Sequence, residues 1–311
     1  MKHTLKITLI ILIMFIITQL IGLYVVNFYL SPNNTIPYGF DNQKDLGKSM
    51  DLDVGFWFFI NLLGSFAIAI FLVFLLMKIN ATWFIRGWFF VVISIAIGLT
   101  LNVLTYKFNF IYPSIIALTI GLILAYIKVF RKNIIVHNLT ELLIYPGIAA
   151  IFVGMLNIWT LILLLIVISI YDMWAVWHSG IMIRMAKYQI NTVGMLGGFM
   201  LPYASKKIKE KIALLKLRYK NKQIPTKEIK KNKIKIGLAI LGGGDVIFPI
   251  IAAGVFFKTY NNIYSALVVT LFATIALALL LIFGDKKKAY PAMPYLTAGI
   301  FLGMIIARLI I

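Results

Sequence analysis

Two aspartates stand inside runs of apolar side chains: Asp172 in SIYDMWAVW and Asp245 in LGGGDVIFP. The chain has ten acidic residues, and the other eight have wet surroundings. Asp41, Asp45, Asp51 and Asp53 fall in a polar stretch, Glu210 and Glu228 in a basic one, and Asp285 after an apolar run. Glu141 stands at the start of another apolar run, where water is expected to reach it. An ionisable group within a membrane-spanning helix is costly and reads as functional by default. The structural alternative is a protonated or ion-paired aspartate. Cations inside the apolar runs offer little pairing, since Arg86 and Arg308 lie near run ends.

Two carboxyls at close range cannot both ionise and share one proton. The ionised member acts as a general base on water. The protonated member polarises a peptide carbonyl and later protonates the leaving nitrogen. That is the chemistry of aspartyl peptide hydrolysis, and it requires elements that bring the two side chains together.

Composition says what those elements are. The chain is 62% hydrophobic and 13% charged, whereas soluble domains average roughly 45–50% apolar and about 25% charged. It reads as an all-α, polytopic membrane protein, because lipid demands helices or a closed barrel and the apolar runs are continuous. Nine spans are expected, near 7–30, 54–77, 87–105, 109–130, 141–157, 159–178, 236–257, 263–284 and 292–310. The organisation follows: residues 1–178 carry spans 1–6, residues 179–235 an interfacial amphipathic helix and a basic loop, and residues 236–311 spans 7–9.

Thirteen Lys/Arg against two Glu lie in residues 206–235, out of a net charge of +20. A basic loop between spans is a cytoplasmic anchor that touches anionic lipid heads, not a nucleic-acid site. The segments before spans 1, 3, 5, 7 and 9 are the basic ones, so the N-terminus is expected inside.

Span 7 then enters near Ile236 and places Asp245 about 13 Å deep, while Asp172 lies about 9 Å from the same side. Neighbouring antiparallel helices thus carry their carboxylates at similar depth. Gly242, Gly243 and Gly244 weaken a helix and let another backbone or a substrate approach. Pro249 loosens the helix one turn later. Before the last span, Pro291 and Pro294 are expected to prevent a helix start and leave extended backbone that lines the site or pairs with an extended peptide.

At these three places the chain resembles the presenilin and signal-peptide-peptidase family of intramembrane aspartyl proteases. Tyr171-Asp172 looks like its YD motif, and Gly242-Gly243-Gly244-Asp245 like its GxGD motif. Pro291-Ala292-Met293 looks like its PAL motif with methionine for leucine, followed by Pro294. The methionine keeps volume and apolarity. The resemblance implies that Asp172 and Asp245 are the catalytic pair and that the Pro291–Pro294 segment shapes the site. It implies transmembrane-helix substrates, and no cofactor is expected; of the family's two oppositely oriented branches, the charge pattern fits the presenilin orientation. The lack of a long N-terminal tail looks like a compact archaeal homologue in a prokaryotic cell membrane.

Two other readings compete. Prepilin-peptidase-like enzymes also use a GxGD aspartate, with a lysine soon after it, where this chain has Val246-Ile247-Phe248-Pro249. From another class, the two aspartates would serve a proton- or cation-coupled transporter or a leak channel. Zinc hydrolysis finds no HExxH, since His137 is followed by Asn138, and no serine stands in a recognisable triad. The chain has no cysteine. Trp83, Trp88, Trp174 and Trp177 read as interfacial anchors.

Overall fold

The computed structural model describes residues 5–40, 52–131, 133–179, 188–189, 197–203, 237–284 and 290–310. The basic 206–235 segment and most of the expected interfacial helix lie outside these. Nine helices are long and apolar enough to cross a membrane among the described residues. They are α1 (Leu5–Leu30), α2 (Leu52–Lys78), α3 (Thr82–Lys107), α4 (Pro113–Phe130), α5 (Ile134–Met155), α6 (Ile158–Trp174), α7 (Gly243–Tyr260), α8 (Ile263–Phe283) and α9 (Met293–Ile310). α6 runs on into a π-helical turn, Ala175–Ser179.

Asparagine punctuates the bundle. Asn80, Asn109 and Asn261 take positive φ, the left-handed conformation asparagine tolerates, in the turns that follow α2, α3 and α7. Asn133, Asn157 and Asn262 cap the N-termini of α5, α6 and α8 with their side chains. Asn157 and Thr160 form a reciprocal capping box. Only Leu156 and Asn157 separate α5 from α6, so the chain crosses back in α6, which packs on α9 and α7 rather than along α5.

Lipid is as apolar as leucine, so helices associate through close packing and polar contacts rather than a hydrophobic drive. α5 is central, packing on α1, α3 and α7, and α7 also touches α6, α8 and α9. Small residues permit this: Ala149, Ala150, Ala252 and Ala253 are fully or nearly fully buried. At the far end of α7, Lys258 Nζ donates to the carbonyls of Val153, Gly154 and Leu156 at 3.2, 2.8 and 3.2 Å, tying α7 to the last turn of α5. α2 sits at the periphery, with 6% of its spanning window buried against 56% for α7. Trp83, Trp88, Trp174 and Trp177 are exposed, as expected of anchors.

Two expectations are corrected. Residues 198–203, assigned to an amphipathic helix, form a strand, β1 (Gly198–Tyr203). The first part of the expected span 7 is also a strand, β2 (Gly237–Gly242). They pair antiparallel, from Gly198 opposite Gly242 to Tyr203 opposite Gly237. The sheet forms because Gly242, Gly243 and Gly244 interrupt the apolar run, and because β1 supplies the partner that an extended backbone requires. β2 alternates, with Ala239 and Leu241 buried and Leu238 and Ile240 exposed, and Phe199 of β1 lies buried opposite Leu241.

Candidate active site

Asp245 lies in the first turn of α7, directly after β2. This revises the depth argument, because a strand covers roughly twice the length per residue of a helix. Its carboxyl folds back over the strand–helix junction: a Cβ on Gly242 would stand 3.1 Å from Asp245 Oδ2. Gly243 is required by a close approach, since a Cβ there would meet Tyr145 Oη at 2.9 Å and Cε1 at 3.0 Å. Gly244 is exposed and faces only Phe248 at ordinary contact distance.

Asp172 occupies the last turn of α6 and is half-buried. The backbone amide of Met293 donates to its Oδ2 at 3.0 Å, and the Ala292 amide lies against the same carboxyl. One turn earlier on α6, Ser169 Oγ and Thr297 Oγ1 are 2.8 Å apart, a second polar tie to α9. The expected helix-free Pro291–Pro294 segment is shorter than the sequence suggested. Pro291 and Ala292 precede the helix, but α9 begins at Met293 and takes in Pro294. Proline fits there because the first-turn N–H groups have no helical partner. Tyr171 points its ring to the exposed side of α6, 6.3 Å from the Trp174 ring.

The structure therefore joins Asp172 directly to the Ala292–Met293 backbone and sets Asp245 against Gly242, with Tyr145 over Gly243. α6, α7 and α9 pack on one another. The end of α6 and the starts of α7 and α9 share one end of the bundle, because β1 docks on the start of α5 and Met293 docks on Asp172.

Sequence reasoning missed a polar stripe on α5. His137, Glu141 and Tyr145 recur every fourth residue, hence on one helical face. Glu141, expected in water, is 2% exposed and bonds Lys128 Nζ at 2.6 Å. Lys128 Nζ also lies 3.1 Å from His137 Nδ1, and His137 Nε2 lies 2.8 Å from the Gly198 carbonyl of β1. The Tyr145 ring meets Phe199 edge-on at 6.0 Å. The spacing of these residues was the available signal. The expected span starts only at residue 141, whereas α5 begins at Ile134, so the stripe falls across the expected boundary. Gln19, wholly buried on α1, was likewise missed; its Nε2 donates to the Val246 carbonyl at 2.9 Å, beside Asp245.

Comparison with known proteins gives three results. A family model described as signal-peptide peptidase, presenilin aspartyl protease matches residues 53–311. Two solved structures, each described as a presenilin family intramembrane aspartate protease, superpose with TM-scores of 0.54 and 0.57. Each is 17% identical, the first covering 97% of both chains, the second 98% of this chain and 99% of that one. At that identity the likeness to the solved structures is one of fold. No curated protein matches the chain.

Proposed function

Because the chain belongs to the signal-peptide-peptidase and presenilin family of aspartyl proteases, we propose that Asp172 and Asp245 are its catalytic pair. The protein is a multi-pass intramembrane protease, and the transporter reading is set aside. The observation that supports these two residues is the amide of Met293 on Asp172, at the bundle end where the first turn of α7 carries Asp245.

In this reading one carboxylate takes a proton from a water molecule. The oxygen attacks the scissile carbonyl as the other carboxyl gives its proton to the carbonyl oxygen; on collapse, the first carboxyl passes the water-derived proton to the leaving nitrogen and the second takes its proton back from the diol. The fixed N–H of Met293 orients Asp172 before substrate arrives, so less reorganisation is needed in the transition state.

A transmembrane helix hides its peptide bonds in its own hydrogen bonds, so the substrate must unwind to be cut. β2 offers the replacement partner. In an antiparallel pair, alternate residues turn their backbone groups away from the neighbour. Met200 and Gly198 bond to α5 rather than to β2. Their partners Ile240 and Gly242 therefore turn their own N–H and C=O to the outer edge of β2, the edge that leads to Asp245. An unwound peptide added there satisfies its backbone in lipid.

The substrates are single-span membrane proteins with their N-terminus outside, the N-terminus of the enzyme is inside as its basic segments suggest, and the host membrane is that of a prokaryotic cell. Residues 1–178 form the scaffold, 179–235 the connecting segment that includes β1, and 236–311 β2 with the helices that follow it. The test is cleavage of a single-span substrate by purified protein. Asp172→Asn and Asp245→Asn each abolish the product at unchanged melting temperature; undiminished cleavage by either variant removes that residue from the pair.

A further inference from the structure

The cluster on α5 is not absorbed by the chemistry above, yet its contacts converge on β1. Asn138 Nδ2 donates to the Met200 carbonyl at 2.8 Å, and its Oδ1 accepts from the Met200 N–H at 2.9 Å. One side-chain amide thus reproduces both bonds of a β-ladder rung. One turn of strand away, His137 holds the Gly198 carbonyl at 2.8 Å. Gly198 and Met200 face the same edge because they are two residues apart. Pro202, next in that series, has no N–H to leave unpaired on this edge.

The imidazole is fixed from behind. An ammonium only donates, so Lys128 Nζ makes His137 Nδ1 the acceptor. The ring hydrogen then lies on Nε2, where the Gly198 carbonyl accepts it. Glu141, 2.6 Å from Lys128 Nζ and 3.5 Å from His137 Nε2, holds the ammonium in place. Gly198 itself has no substitute: its φ is +130°, and a Cβ would stand 2.2 Å from the Leu241 carbonyl. Buried ions and side-chain amides of this cost seldom persist in lipid without a role.

We propose that His137 and Asn138 are positioning residues, a bracket that fixes where the sheet sits along α5 and thereby which substrate peptide bond reaches the carboxyls. The inference rests on the proposed function, in which substrate adds to β2. β1 is held to α5, and β2 is registered on β1 and leads through the glycines directly to Asp245 on α7, which itself packs on α5. The position of the substrate strand ahead of Asp245 is therefore set through α5. If the bracket loosens, β2 loses its brace ahead of the glycine joint, and the substrate strand slips against the carboxyls. Slips that keep the buried face are two residues long, so the cut moves in steps of two residues.

The test measures product masses, kcat and KM for a single-span substrate, with amide exchange over residues 198–203 and 237–242. In Asn138→Ala and His137→Leu, added products displaced by two residues are expected, kcat falls more than KM rises, and exchange in those strands increases roughly tenfold or more, as the loss of the two bonds implies. His137→Gln, whose amide nitrogen can take the place of Nε2, keeps the wild-type cut. If Asn138→Ala fails to fold, Asn138→Asp, which keeps the acceptor and loses the donor, reads the same quantities. A wild-type chain that cuts nothing overturns the proposed function. A cutting wild-type whose variants keep a single unshifted product, losing activity only in step with melting temperature, overturns the bracket alone.

Discussion

Met293, the first residue of α9, gives its backbone N–H to the Asp172 carboxyl across 3.0 Å. At this helix position the amide has no intrahelical acceptor, so the contact uses a donor that the fold leaves spare. It links two segments 121 residues apart in sequence, and it makes the backbone of α9 part of the candidate site.

Proline at position 293 deletes that donor where proline suits a helix. Met293→Pro should lower kcat by about ten- to a hundredfold, the range for a hydrogen bond to a charged group. Met293→Ala controls for the lost side chain. Equal activity in the two variants would show that the amide is idle.

Gly243 is pressed on by the Tyr145 phenol. The ring is buried and cannot swing clear. Gly243→Ala should therefore push the first turn of α7 away and cost most of the activity, with about 1–3 kcal/mol of stability, as overpacking does. Adding Tyr145→Phe relieves the Oη contact but not the one to Cε1, so it should restore activity in part. A Gly243→Ala enzyme of wild-type activity refutes the packing account.

Lys128 and Glu141 form a buried ion pair. Lys128→Met or Glu141→Leu alone leaves an uncompensated charge and should destabilise by about 3–5 kcal/mol, whereas the double variant should recover much of that loss. A double-mutant cycle on thermal or denaturant unfolding in detergent measures the coupling. Additive effects would show that the pair contributes nothing as a pair.

The two prolines near α9 should separate. Pro294 lies in the first turn, and Pro294→Ala is expected to change stability and turnover little. Pro291 is buried ahead of the helix, and Pro291→Ala frees the backbone that leads to the Met293 amide, so turnover should drop more than stability. Kinetics and melting curves on both variants decide it, and a larger effect at Pro294 would contradict the geometry.

The helices were legible because lipid leaves a chain few options: a continuous apolar run of about 20 residues is a span. The carboxyls were legible for the converse reason, that Asp172 and Asp245 are expensive where they stand. The strands were not. β2 is as apolar as the helix it feeds, and its partner lies more than thirty residues earlier, so neither hydropathy nor local pattern separates Gly237–Gly242 from Gly243–Tyr260. Only the glycines at 242–244 mark the boundary, and glycine serves equally as a point of close approach within a helix. The charged pair was hidden similarly, since Lys128 and Glu141 look like end-of-span residues until α4 and α5 are laid side by side. Expectations for the basic 206–235 segment fall on residues outside those described.

Lys258 locks the distal end of α7 to three carbonyls of α5, while three consecutive glycines precede the carboxylate at the proximal end. The helix is thus clamped like a beam with one fixed support. Whatever displacement brings Asp245 nearer its counterpart is confined to a pivot of that beam or a bend at the glycine joint. A wholesale translation would break all three of those bonds at once.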